Sequence, residues 1–215
     1  MKQKKMEKTQ TKIDNFKVIG LILFIISTID TYFLLKFDGF SQLFWFCNSA
    51  LYLLALGFYF RKSILITAVL LGALVVQLPW VLDFFYQLFT GKMWLGVASY
   101  MFEYGFDNIR FYIELDHLFI IPLALCGIAR LGFNKNGWAV AAIVAIILNA
   151  GAFLASSAED NVNCVFYSCF SDKIEMKEYP FAYALVWTAS IITSIFVLSK
   201  IIYSFLRKYK SLANI

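Results

Sequence analysis

Residues 64–89 read ILITAVLLGALVVQLPWVLDFFYQLF, an apolar run long enough to cross a hydrocarbon core of about 30 Å at about 1.5 Å rise per residue. It holds one acidic residue, Asp83, and no basic one. Comparable runs lie at 18–35, 42–60, 111–131, 138–157 and 181–203, so hydropathy predicts an all-α, polytopic membrane bundle of six transmembrane helices. A chain that is 61% hydrophobic, with mean hydropathy +0.72, has too few charges to cover a soluble surface. The expected organisation is a basic tail at 1–16, a transmembrane domain at 17–204 and a second basic tail at 205–215.

Orientation follows from Lys and Arg. Lys2, Lys4, Lys5, Lys8, Lys12 and Lys17 precede the first span, Arg61 and Lys62 follow the second, and Arg130 and Lys135 follow the fourth. Lys200, Arg207, Lys208 and Lys210 close the chain, while Lys36, Lys92, Arg110, Lys173 and Lys177 fall on the other side. The positive-inside rule therefore predicts a multi-pass cell-membrane protein with both termini cytoplasmic and an even number of crossings. The basic tails read as topology signals, and the net charge of +5 gives no support to nucleic-acid binding. The first span follows a basic leader, but its apolar core is long for a signal peptide and residues 27–32 offer no small-x-small cleavage site, so a retained signal anchor is expected.

Cys164 and Cys169 fall in the last non-cytoplasmic connection, 158–179, whose Glu159, Asp160, Asp172, Glu175 and Glu178 keep it out of the hydrocarbon. A disulfide would close a short loop there; two free thiols or a weak metal pair are the alternatives. Cys47 and Cys126 lie on different spans and are expected to stay unpaired.

The polar residues inside the spans crowd toward the non-cytoplasmic ends. Asp30, Cys47, Asn48, Asp83 and His117 each lie about six residues deep, roughly 10 Å at helical rise, with Asn149 slightly deeper and Glu114 and Asp116 shallower. A lone Asp in hydrocarbon costs about 2.5–3.5 kcal/mol on the insertion scale, so Asp30 and Asp83 should face the interior. His117, the sole histidine, is their expected partner. One outward-opening polar site results. Pro79 and Pro122, each just below a polar residue of this layer, should kink their helices. Trp80 stands three residues before Asp83 on the same face. The connection at 90–109, rich in aromatic and acidic residues, suits an interfacial helix or a cap over the mouth.

The order Trp45-x-x-Asn48, Gln77-x-x-Trp80-x-x-Asp83, Tyr100-Met101-Phe102, His117 with Pro122, Arg130-Leu131-Gly132-Phe133 and Asn161-Val162-Asn163 resembles a family of small uncharacterised prokaryotic membrane proteins, over roughly residues 40–170. That resemblance implies no activity. In layout the chain also looks like the androgen-induced-gene intramembrane hydrolases of fatty-acid esters and related cysteine-dependent acyltransferases. Their resemblance implies Cys47 as nucleophile and His117 as its base.

Three functions compete. A lipid- or acyl-binding module would use Asp30, Asn48, Trp80, Glu114, Asp116 and Asn149 to shape and hold the site, with the bilayer and an acyl chain as its partners. An intramembrane hydrolase or acyltransferase would use Cys47, His117 and an orienting carboxylate, Asp83 or Asp116. A proton-coupled transporter would titrate Asp30, Asp83 and His117, although no second polar layer continues toward the cytoplasm. No metal site is expected, because one histidine makes a zinc hydrolase centre thin, and no cofactor is named by any motif.

Overall fold

The structure, a computed structural model, describes residues 14–170 and 179–212, and every regular element among them is helical. The basic tail up to residue 13, the segment 171–178 with Asp172, Lys173, Glu175, Lys177 and Glu178, and residues 213–215 lie outside the described residues. Helix α1 spans Asn15–Phe37, α2 Phe46–Tyr59, α3 Ser63–Thr90, α4 Ser99–Tyr104, α5 Ile109–Leu131, α6 Gly137–Ala155 and α7 Pro180–Leu212. Five of these, α1, α3, α5, α6 and α7, are long and apolar enough to cross a membrane. Their outer faces carry Ile22, Ile25, Ile29, Phe119, Ile147 and Leu154, each at least half exposed. Such a continuous apolar exterior suits lipid and not water.

On α1 the buried residues are Gly20, Leu23, Ser27 and Asp30, a single stripe at helical spacing. Gly20 allows backbone contact with α2, because a Cβ there would lie 2.6 Å from the Tyr59 nitrogen and 2.7 Å from the Ala55 oxygen. Asp14 caps α1 by accepting from the Phe16 amide at 3.1 Å. It also pairs with Arg61 at 2.7 Å, tying the start of α1 to the turn after α2.

Helix α2 is shorter than hydropathy implied, covering 14 residues, or about 21 Å. The expected span at 42–60 breaks at Trp45, where ψ is 137°, and residues Phe40–Phe44 form a separate 3₁₀ turn. Side chains take up the backbone groups freed by the break. Asn48 Nδ2 donates to the Gln42 carbonyl at 2.9 Å, Asn163 Nδ2 donates to the Phe44 carbonyl at 2.6 Å, and the Phe46 amide donates to Asn163 Oδ1 at 3.3 Å. A break at this depth is tolerable only when such partners exist.

Helix α3 changes pitch in its middle: residues Ala73–Gln77 form a π-helical segment immediately ahead of Pro79. Proline has no amide to give the carbonyl four residues back, and the widened turn absorbs that loss while turning Gln77 inward. In α5 the 3₁₀ turn Glu114–Asp116 leads directly into His117, with Pro122 five residues further along. The largest core lies where α2, α3 and α5 meet, around Leu51, Leu54, Ile66, Val69, Ile120 and Ala124. Helix α6 presents Gly137, Ala141, Ala142, Ala145 and Ala152 to its neighbours α3 and α7, the close small-residue packing that holds helices together in lipid.

Candidate functional site

Three connections from the same end of the bundle, those after α1, α3 and α6, join the helices around a cavity of about 630 Å³. This volume falls in the range of sites that hold small molecules. Its wall includes Cys47 and Asn48 from α2, Gln77 and Trp80 from α3, Glu114 and His117 from α5, and Asn149 from α6.

His117 is the most heavily engaged of these. Adjacent residues on a helix project about 100° apart, yet the Asp116 carboxylate reaches its neighbour's ring, with Oδ1 2.7 Å from Nδ1. Glu114 Oε2 lies 3.6 Å from the same nitrogen and accepts from the Tyr100 hydroxyl at 3.2 Å. Trp80 Nε1 in turn donates to the Tyr100 oxygen at 3.1 Å, and the indole lies over the imidazole with ring centroids 4.8 Å apart. Gln77 Nε2 donates to the His117 carbonyl at 2.6 Å. The ring is thus fixed in position, tilt and tautomer by surrounding groups.

Cys47 sits in the first turn of α2, just past the break at Trp45. Its side chain and the His117 imidazole both line the cavity, and the imidazole is held from its Nδ1 side by the Asp116 carboxylate. The first amides of a helix have no intrahelical acceptor and favour negative charge nearby. With the Phe46 amide taken by Asn163, the amides that follow it in this first turn are the donors next to any anion formed at or beside the Cys47 sulfur. Asn48 is buried, its carbonyl oxygen 3.9 Å from Sγ, and its amide group stabilises the chain break described above.

The remaining polar residues divide. Asp30 is buried on α1 and within electrostatic reach of Asp116, Glu114 and His117, but it does not line the cavity. Asp83, expected beside His117, is fully buried elsewhere: its two oxygens accept from the amides of Trp94, Leu95 and Ala98 at 3.3, 2.7 and 2.9 Å. The reason is local, since the chain turns back over α3 at residues 91–98 and those amides have no ladder to join. Asp83 therefore holds the connection over the site, and Asp116 takes the place beside the histidine. Asn149 bridges α6 to α7 by donating to Thr188 Oγ1 at 2.9 Å. Arg110 pairs with Asp38 at the end of α1.

Cys164 and Cys169 are joined in a disulfide, and their loop forms one wall of the cavity. The loop is built on left-handed residues, with φ of 41° at Asn161, 53° at Asn163 and 59° at Cys164. Asn161 Oδ1 accepts from the amides of Phe166 and Tyr167, while the Trp187 indole donates to the Asn163 carbonyl at 2.8 Å. Because Asn163 also holds Phe44 and Phe46, this loop positions the turn that carries Cys47. Sequence reasoning gave Gln77, Tyr100 and Asn163 no role in the site. A glutamine and a tyrosine among apolar neighbours were the available signals, but their partners depend on the π-turn and on the path of the connections.

Among the described residues, no three His, Cys, Asp or Glu side chains group as metal ligands. No family model matches the chain, and neither a curated protein nor a solved structure is similar to it. The class that the fold itself defines is a multi-helix membrane protein.

Proposed function

We propose that the chain is a cell-membrane protein of six crossings with both termini cytoplasmic, whose cavity opens to the non-cytoplasmic side, takes the acyl chain of a lipid and acts on its ester by thiol chemistry. The observation that carries this reading is the placement of the Cys47 thiol and the Asp116-held His117 imidazole on the wall of one 630 Å³ cavity. Arg61, Lys62, Arg130 and Lys135 lie at the end of the bundle remote from the disulfide loop, a distribution that supports the orientation. Helix α2 with its preceding 3₁₀ turn is the sixth crossing.

In this reading Asp116 orients the imidazole, and His117 takes the proton of the Cys47 thiol as sulfur attacks the ester carbonyl. The first-turn amides of α2 stabilise the oxyanion. Collapse breaks the carbon–oxygen bond, the His117 proton passes to the leaving alkoxide, and the acyl group remains on Cys47 as a thioester. A water or an acceptor alcohol, deprotonated by His117, then attacks the thioester and returns the proton to the thiolate, giving hydrolysis or acyl transfer. Asn48, Trp80, Glu114 and Asn149 shape and polarise the site without reacting, and Asp30 stands behind its wall.

The test is turnover by purified protein in lipid nanodiscs, using a glyceride whose acyl chain carries an alkyne tag. Release or transfer of the tagged chain is expected for the wild type and not for Cys47→Ala or His117→Ala. Equal turnover by all three proteins contradicts the proposal.

A further inference from the structure

The cavity continues inward past the turn that carries Cys47. Hydrogen bonds fix the level of that turn on two helices: Asn163 Oδ1 accepts from the Phe46 amide at 3.3 Å, next to Cys47, and the Asn163 carbonyl accepts from the Trp187 indole of α7 at 2.8 Å. Asn149 of α6 donates to Thr188, the residue after Trp187, at 2.9 Å. From this level the lining runs on along α6 from Asn149 to Ala141 and along α7 from Trp187 to Ile195, eight residues in each case. Both helices therefore give an arm about 12 Å long at about 1.5 Å rise per residue, directed away from the disulfide loop. Among the described residues, none of α6 or α7 nearer the opposite end of the bundle lines the cavity.

The arm is apolar. Val75 and Val76 of the π-helical segment, Ala141 and Ala145 of α6, and Ile191 and Ile195 of α7 line it. Ser190 and Ser194 of α7 lie on its exposed edge, but their hydroxyls donate within the helix, to the Val186 carbonyl at 2.8 Å and the Ser190 carbonyl at 2.9 Å. Neither needs a polar group from a ligand. The charged lining residues, Asp38, Glu114, His117 and Asp160, all come from other elements. A cavity with polar groups gathered at one end and an apolar arm at the other fits an amphipathic ligand held with its chain inward.

Resting on the acyl-site reading above, we infer that this arm is a chain-length ruler: it takes one unbranched acyl chain of the octanoyl to decanoyl class, with the carbonyl at the Cys47 level and the methyl end against Ala141, Ser194 and Ile195. An extended chain of that class matches the arm, whereas a hexadecanoyl chain outruns it and must displace close-packed side chains beyond its end. A shorter chain leaves part of the wall without partner atoms. The alanines of α6 make the room, and a larger side chain there or at Ser194 would occupy it. Ala145 and Ser194 are specificity-determining residues.

The experiment adds N-butyl, N-decyl or N-hexadecyl maleimide to full-length protein in nanodiscs and reads, by peptide mass mapping, the alkylation of Cys47 relative to Cys126. Cys126 is an exposed free thiol that meets the same probe in the bilayer, so the ratio cancels partitioning into lipid. It is expected to rise about tenfold from butyl to decyl and to fall again for hexadecyl. In Ser194→Phe, and separately in Ala145→Leu, the decyl advantage should shrink to within about twofold, with butyl labelling of Cys47 retained as evidence of an intact cavity. The two substitutions lie on different helices, so misfolding of one leaves the other to decide. The same ratio for all three chains, a maximum at hexadecyl, or a decyl advantage that survives both substitutions overturns the ruler while leaving the thiol site standing. No labelling of Cys47 by any probe removes the acyl site together with its arm.

Discussion

Asp116 Oδ1 lies 2.7 Å from His117 Nδ1, a contact between sequence neighbours that holds the ring with its other nitrogen free for a thiol or a substrate. Replacing Asp116 by Asn removes the acceptor that fixes this tautomer. Acyl turnover should fall by about 10²–10⁴, with Asp116→Glu restoring part of it and the two variants melting alike. If the Asn variant turns over at the wild-type rate, Asp116 does not orient the base.

Asp83 is a strut. Three backbone amides converge on it, and an asparagine turns an N–H₂ toward at least one of them. Asp83→Asn should cost about 1–3 kcal/mol, lower the melting temperature and speed proteolysis within residues 91–98. Turnover per folded molecule should remain within a fewfold of wild type. Loss of turnover without loss of stability would return Asp83 to the chemistry.

The contrast between Asp83 and Asp116 shows what the sequence carries. Periodicity and hydropathy locate helices within a few residues: the expected span at 64–89 is Ser63–Thr90, and that at 111–131 is Ile109–Leu131. These ends are legible because the cost of placing charge in hydrocarbon is a property of the run itself. The crowding of polar residues toward one end was legible for the same reason, and it brought Cys47, Asn48, Trp80, Glu114, His117 and Asn149 to one cavity. Which carboxylate meets the histidine was not legible. Asp83 has the matching depth but answers to the amides of a connection whose path no pattern encodes, and the break at Trp45 depends on Asn163, far away in sequence.

Helices α1 and α2 touch through Gly20. A methyl group there meets the Tyr59 nitrogen and the Ala55 oxygen, both backbone atoms, and neither can rotate away. Gly20→Ala should destabilise the bundle by about 1–3 kcal/mol, seen as a lower melting temperature. An unchanged melting temperature would mean that these helices do not pack as closely as described.

The Arg61 side chain that hydrogen-bonds Asp14 outside the membrane holds its carboxyl below the usual range. A depressed folded value means that the pair stabilises the fold above the unfolded value near 3.8 and that this contribution fades as pH falls through the folded value. The Asp14 carboxyl resonance should titrate at lower pH in wild type than in Arg61→Ala. Coincident midpoints would show that the pair does not form in solution.

The most direct measurement is the mass of the acylated protein. After incubation of the full-length chain with an acyl ester and a rapid acid quench, peptide mapping is predicted to find a hydroxylamine-sensitive acyl group on Cys47. The group should be missing in His117→Ala and should not occur on Cys126, the exposed free cysteine of α5. Acylation of Cys47 and Cys126 to the same extent, or none on Cys47 while the ester is consumed, would contradict the account.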